Sequence, residues 1–230
     1  MRPFFLPSPS DTLSSLIRLV QNGSLLRDLA TSLGRVAGGF LISLIIALPA
    51  GLAIGLSKRA DALIEPTLNA VRYVPPSAFI PLAILWLGIG EAEKLFIIVI
   101  GIAPYLVLLI TDAVMAVRRE FIESAVTLGA DNVQLITRVI LPSALPAIWD
   151  ASRVMMGAAW TFLIIAEIVG ASSGLGHMMV EAQRFLKTST IFAGIITVGA
   201  IGLVTDALFK LGYRALFPWT EKGSSHAHAP

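Results

Sequence analysis

The residues with obvious chemical capacity in this chain are four acids in apolar surroundings, Asp112, Asp150, Glu167 and Asp206, and a pair of serines, Ser172 and Ser173, close to His177. An ionised group inside a membrane span is costly, so it pairs with another group, faces a bundle interior or lines an aqueous cavity. Glu167 is on this ground a candidate pathway or gate residue, and equally a candidate hydrogen-bond partner between helices. Asp112, Asp150 and Asp206 fall near span ends and read as structural. The stretch GASSGLGHM, residues 170–178, brings a serine, glycines and a histidine together, the parts of a nucleophile and its base. So short a separation at the mouth of a span suits a turn of small residues better. The absence of cysteine removes disulfides, thiolate metal sites and cysteine nucleophiles. No G-x-x-x-x-G-K-[ST] phosphate loop occurs, so the chain offers no nucleotide hydrolysis of that type.

The elements that must position these groups follow from composition. Of 230 residues, 56% are hydrophobic and 14% charged, with mean hydropathy +0.81. Soluble domains carry about 25% charged residues, so the chain reads as an all-α, polytopic membrane helix bundle. Apolar runs place five spans at about 36–56, 79–89, 95–117, 148–171 and 191–211. The second is short and interrupted by Pro75, Pro76 and Pro81, and Pro104 should kink the third. Ser10 or Asp11 should cap an amphipathic helix with Leu13, Ile17 and Val20 on one face, closed at Asn22-Gly23, and Ser24 can start the next helix. GIGEAEK (88–94) reads as a tight polar turn. Residues 172–190 suggest a short helix with Met178, Met179, Ala182 and Phe185 on its apolar face. Tyr73, Pro75, Pro76 and Trp86 are candidates to line a pore, although aromatics at span ends serve by default as interface anchors. Three regions result: an N-terminal segment with amphipathic helices (1–35), a transmembrane domain (36–217) containing a polar loop (118–146), and a polar tail (218–230). The start MRPFFLPSPSDTL is too polar for a signal peptide's apolar region.

Charge sets the orientation. With the loop 118–146 inside the cell, Lys58, Arg59, Arg72, Arg118, Arg119, Arg138, Lys210, Arg214 and Lys222 all lie inside, against Lys94, Arg184 and Lys187 outside. Arg2, Arg18, Arg27 and Arg35 dissent, preceding the first span on the outer side. The net charge of +2 is scattered between apolar runs, which argues against nucleic acid as a partner.

Between the third and fourth spans the chain becomes polar. Phe121, Ile122, Ala125 and Val126 recur at helical spacing, Gly129 suits a left-handed turn, and Asp131 can cap a second helix carrying Val133, Ile136, Val139 and Ile140. Leu141-Pro142 should end it. Such a helix–turn–helix finger suits the groove of a soluble partner.

Its spacing is specific. Glu123-Ser124-Ala125, three residues, Gly129, nine residues and Val139-Ile140-Leu141-Pro142 resembles the EAA loop of ATP-binding-cassette importer permeases, E-A-A, x3, G, x9, I-x-L-P, with Ser124 and Val139 as mild departures. RYVPPSAFIPLAILWLGIGE (72–91), AWTFLIIAEIVGASSGLG (159–176) and FLPSPSDTL (5–13) are similar to the nitrate/sulfonate/taurine-type permeases, a group that includes bicarbonate transporters. The resemblance implies a type I importer transmembrane-subunit (MetI-like) fold in an inner membrane. It implies two permease copies forming the pore, two cytoplasmic ATPase subunits carrying ATP and Mg, and an external substrate-binding protein. The side of 172–190 and GIGEAEK is a candidate docking face for that protein, and ordinary packing against the bundle accounts for these residues equally well. The cargo would be a small solute, an anion such as nitrate, sulfonate, taurine or bicarbonate. Glu123, Ser124, Ala125, Gly129, Val139, Leu141 and Pro142 would couple to the ATPase. In the family an LPSPS-like segment follows a first transmembrane helix, and restoring one gives six spans with both termini inside. Two rivals differ in mechanism: an ion-coupled secondary transporter using Glu167 and Asp112, and an intramembrane serine hydrolase using Ser172 or Ser173.

Overall fold

The computed structural model describes residues 6–220, and the histidines of the tail lie outside that range. All regular structure among the described residues is helical. Helix α1 (Pro9–Gln21) is followed by α2 (Ser24–Gly55), α3 (Lys58–Arg72), a 3-10 turn (Pro76–Phe79) and α4 (Ile80–Leu87). Then come α5 (Glu91–Met115), α6 (Arg119–Thr127), α7 (Asn132–Gln134), a π turn (Leu135–Ile140), α8 (Leu141–Ile168), α9 (Leu175–Arg184) and α10 (Thr188–Leu216). Four helical runs are long and apolar enough to cross a membrane: Ser24–Gly55, Glu91–Met115, Asn132–Ile168 and Thr188–Leu216. The expected second span is not one by itself. Its prolines leave only a 3-10 turn and the eight residues of α4, which count as a fifth span only when joined with α3 as a bent pair.

Two other expectations are corrected. Helix α1 is capped by Ser8, not by Ser10 or Asp11: the Ser8 hydroxyl accepts from the Asp11 N–H in a capping box. Its polar residues Thr12 and Ser15 are buried, whereas Leu13, Ile17 and Val20 are exposed. Facing apolar groups outward suits a surface bathed in lipid rather than water. The second correction concerns Pro142, which does not end a helix. Asn132 to Ile168 runs as one helix through Pro142 and Pro146. A proline leaves one carbonyl of the preceding turn without its i+4 donor. The wide π turn just before Pro142, where the Leu141 N–H donates to the Ile136 carbonyl five residues back, shifts the register that proline would otherwise break.

The chain divides into two compact units. One takes Met1–Ile42, Val74–Ile102 and Met156–Val204, the other Ser43–Tyr73, Ala103–Met155 and Thr205–Pro230. In the first, Ile80, Ala83, Ile97 and Ala166 form an apolar core, and Gly39 packs on the side chain of Ile98. In the second, Gly51 and Gly55 bring α2 against α5. A Cβ on Gly51 would lie 2.7 Å from Ile110 Cβ, and one on Gly55 2.8 Å from Val114 Cβ. This is the small-residue packing that lets membrane helices touch where no hydrophobic effect drives them together. Thr111 adds a bond across the same contact, donating to the carbonyls of Val107 at 2.9 Å and Gly51 at 3.3 Å. Tyr105 donates to the Arg72 carbonyl at the end of α3 (3.2 Å), and Trp149 to the Phe209 carbonyl of α10 (2.9 Å). A methyl group at Gly51 must push these helices apart, so Gly51→Ala should cost about 1–3 kcal/mol. Gly34→Ala, where a Cβ meets nothing within 4 Å, should be neutral or gain up to about 1 kcal/mol of helix preference. Thermal unfolding in detergent compares the two, and equal midpoints would contradict the close packing.

Candidate functional site

The polar interruption at 119–140 is a hairpin whose shape is set by its own hydrogen bonds. Helix α6 ends at Leu128, and Gly129 follows with φ +83°, a conformation that costs glycine little. The Gly129 N–H donates to the Val126 carbonyl at 2.9 Å and the Ala130 N–H to that of Ala125 at 3.0 Å, the paired bonds of a Schellman terminus. Asp131 then starts the second arm: its carboxylate accepts from the Gln134 N–H at 2.8 Å while Gln134 Oε1 accepts from the Asp131 N–H at 3.3 Å. Both ends of the turn are thus satisfied between Ala125 and Gln134. The expected turn at Gly129 and cap at Asp131 stand as read from the sequence; the expected stop at Pro142 does not.

What the hairpin displays is mixed. Glu123 and Ser124 are exposed, and among the described residues the Glu123 carboxylate has no hydrogen-bond or ion-pair partner. Phe121, Val126, Leu128 and Val133 are exposed as well, Leu128 at 87%. Ala125, Val139, Leu141 and Pro142 are half-buried. Arg118 donates to Glu120 at 3.1 Å and lies over the Phe121 ring. The Glu120 carboxyl is held below its usual range first by its own backbone N–H and then by Arg118. Behind the hairpin is a cavity of about 350 Å³ lined by Ile54, Val114, Ile122, Leu135 and Ile140, with Lys58, Asp61 and Arg119 also on its wall.

In the other unit Glu167 is 1% exposed and every side of its carboxylate is engaged. Oε1 accepts from the Arg35 guanidinium and the Ser32 hydroxyl, each at 2.7 Å; Oε2 accepts from the Gly176 N–H at 2.8 Å and again from Ser32 at 3.0 Å. Arg35, itself 4% exposed, also donates to the Ser173 carbonyl at 2.7 Å and holds Glu91 through both carboxylate oxygens, at 2.7 and 2.5 Å. Asp28 and Ser32, on the same face of α2, accept from the N–H groups of Gly174 and Leu175, both at 2.9 Å. Three side chains from α2 and α8 thus satisfy the first N–H groups of α9. The glycines of GASSGLGHM are explained by this approach: a Cβ at Gly174 would overlap the Glu167 carboxylate, and one at Gly176 would lie 2.6 Å from Glu167 Cβ.

The structure does not bring the remaining candidates together. Tyr73 and Trp86 are largely exposed, at 85% and 63%; Pro75 is exposed and Pro76 half-buried. Asp112 is exposed. Asp206 pairs with Lys210 at 2.7 Å and approaches Arg153 at 3.7 Å, and Asp150 approaches the same arginine at 3.8 Å. Ser173 Oγ is near Arg35 (3.3 Å), and no described hydrogen bond joins His177 to either serine. On α9, Met178 and Ala182 are buried, Met179 is half-buried and Phe185 is exposed.

Sequence reasoning missed Arg35, counted only as a misplaced basic residue, and it misread GIGEAEK. Only residues 88–90 turn; residues 91–94 open α5, and Glu93 and Lys94 are buried, with Lys94 Nζ donating to the Gly90 carbonyl (3.0 Å) and to Glu93 (3.1 Å). A signal was present. Asp28, Ser32 and Arg35 sit at i, i+4 and i+7, one face of a helix, and a carboxylate within a span calls for a cation.

Several helices of crossing length, interrupted by one polar hairpin, describe a multi-pass membrane protein. The chain belongs to the family of binding-protein-dependent transport system inner membrane components, whose model matches residues 25–219. It is 38% identical to a probable ABC transporter permease protein of Brucella abortus (strain 2308), over 94% of this chain and 87% of that one. It is 33% identical to the taurine transport system permease protein TauC of Escherichia coli K12, over 94% and 81%, and 36% identical to the putative aliphatic sulfonates transport permease protein SsuC of Bacillus subtilis 168, over 93% and 78%. The inward-facing MetNI methionine ABC transporter shares the fold, with TM-score 0.76 at 20% identity over 85% of this chain and 97% of that one. An amino acid ABC transporter solved with histidines does so at TM-score 0.66 and 19% identity, over 87% and 95%. The chain is thus a multi-pass inner-membrane permease subunit of an ATP-binding-cassette importer, with the MetI-like fold.

Breaking a buried charge pair from one side leaves the other charge uncompensated. Arg35→Gln should lower stability by about 3–5 kcal/mol, and the Arg35→Met/Glu167→Met double variant by less than the sum of its singles. Thermal unfolding of the purified protein measures both; strict additivity would show that the two residues are not coupled.

Proposed function

We propose that this subunit passes a small oxyanion, of the sulfonate, taurine, nitrate or bicarbonate kind, across the inner membrane in response to ATP hydrolysis on separate subunits. The cargo class is drawn from relatives named for taurine, aliphatic sulfonate and bicarbonate transport. In this reading two copies of the chain form the route, two cytoplasmic ATPases carry ATP and Mg, and an external binding protein delivers the cargo.

The observation that carries the coupling role is the hairpin. It presents an unpartnered carboxylate at Glu123 beside exposed Phe121, Val126 and Leu128, on a turn closed at both ends by its own bonds. An amphipathic helix with such a face suits a hydrophobic groove with a polar rim. Ser124 and Ala125 keep the contacting face narrow, Gly129 fixes the turn, and Val139, Leu141 and Pro142 join the hairpin to the span. Glu167, being fully engaged, serves to hold α9 rather than to bind cargo, and Tyr73, Pro75 and Trp86, exposed on the single chain, with the half-buried Pro76, are the side chains left for the route or the second copy.

Glu123→Lys should weaken ATPase docking by about 1–2 kcal/mol, roughly 5–30-fold. Gly129→Pro should abolish coupling, because proline cannot take the positive φ found there. In vesicles reconstituted with the partner subunits, both variants should insert normally yet move cargo poorly and leave ATP hydrolysis unresponsive to it. Undiminished ATP-driven uptake by Glu123→Lys would sink the docking role, and uptake driven by an ion gradient without ATP would favour a secondary carrier.

A further inference from the structure

The junction of α1 with the start of α10 carries chemistry that the coupling hairpin and the Glu167 cluster do not use. A cavity of about 310 Å³ opens there, walled by Ser15, Arg18, Asn22, Lys187, Ser189 and Thr190, together with Leu19. No carboxylate lines it, although Asp28 and Glu181 line the adjoining cavity that shares Leu19, Lys187 and Thr190 with it. Among the described residues neither Arg18 nor Lys187 forms an ion pair; Arg18 donates to the Ser15 hydroxyl at 3.1 Å and Lys187 lies over the Phe185 ring at 5.5 Å. The hydroxyls are fixed in place, since the 2%-exposed Ser15 donates to Ser189 Oγ at 2.8 Å, tying α1 to the first turn of α10. That first turn belongs to a helix of 29 residues, whose positive end adds to the field of the two cations. Two like charges around one small hollow repel each other, and an anion between them removes the repulsion.

We infer that this cavity binds a tetrahedral oxyanion, with Arg18 and Lys187 as its charge partners and the hydroxyls of Ser189 and Thr190 as donors. Four or five donors around a three- or four-oxygen anion match in number as well as in sign. The surroundings indicate where such an anion comes from. Leu13, Ile17 and Val20 on α1 are exposed, and so are Phe185 and Leu186 beside Lys187. Apolar side chains bordering cations that lack an ion-pair partner among the described residues are the arrangement of a helix lying at the membrane interface, where basic residues reach phosphate groups. The phosphodiester of a lipid headgroup and a dissolved oxyanion share this chemistry and differ in whether acyl chains are needed.

The test uses the full chain purified with its partner subunits and stripped of lipid. Native mass spectrometry follows binding of phosphatidylglycerol, and the shift of the thermal unfolding midpoint follows inorganic sulfate, for the wild type, Arg18→Gln/Lys187→Gln and Arg18→Lys. At about 1 kcal/mol for each basic residue near the surface, the double variant should bind about thirty-fold more weakly, with Arg18→Lys close to wild type. Both residues are exposed, so an unchanged unfolding midpoint without either probe should confirm that the fold is intact. Charge-dependent binding of phosphatidylglycerol but not sulfate supports the site with lipid as its source. Charge-dependent binding of sulfate supports it as a site for dissolved oxyanions. Equal binding of both probes by wild type and double variant, or no binding by wild type, overturns the inference.

Discussion

The cost of keeping the Glu167 charge out of water organises one half of this molecule. At 1% exposure a bare carboxylate would be intolerable. Arg35, Ser32 and the Gly176 N–H remove that cost, and each does so by fixing a different element. Arg35 ties α2 to α8 and, through Glu91, to the start of α5. Ser32 and Asp28 tie α2 to the start of α9. The glycines at 174 and 176 follow, because only a residue without a Cβ lets the backbone come so near the acid. A buried ion pair is weak evidence for net stability against an apolar alternative. What this one does is join four helices, α2, α5, α8 and α9, at one set of hydrogen bonds.

Elsewhere the packing obeys the solvent. Helix α10 has 11% of its apolar window buried, and Leu203, Val204, Leu208 and Leu211 face outward. In water such a helix would aggregate; in hydrocarbon it is at ease. Close approach therefore falls to small residues, as where Gly51 and Gly55 meet Ile110 and Val114, and to hydrogen bonds such as that of Thr111. The amphipathic α1 follows the same logic with its faces reversed.

Much of this was legible in the sequence. Long apolar runs gave the spans, and Gly129 and Asp131 gave the hairpin turn, because these signals are local and act through backbone geometry. The family could be read from the spacing of Glu123, Gly129 and Pro142. The second span failed because hydropathy ignores what Pro75, Pro76 and Pro81 do to the hydrogen-bond ladder. The face of α1 is a question about solvent, which helical periodicity alone cannot answer. Arg35 and Glu167 are 132 residues apart, and the helical spacing of Asp28, Ser32 and Arg35 marks a polar face without saying which acid it meets. Each was visible singly, one as a misplaced base and the other as a costly acid.

The unbroken run from Asn132 to Ile168 has a mechanical corollary. Thirty-seven residues at 1.5 Å each make a rod of about 55 Å, with the outer arm of the hairpin as its tip. The second arm of the hairpin is continuous with this run, so no loop separates the two. Its softest place is the π turn at Leu135–Ile140, where the ladder already runs in a wider register. Proline at 142 thus marks a change of hydrogen-bond register rather than a boundary.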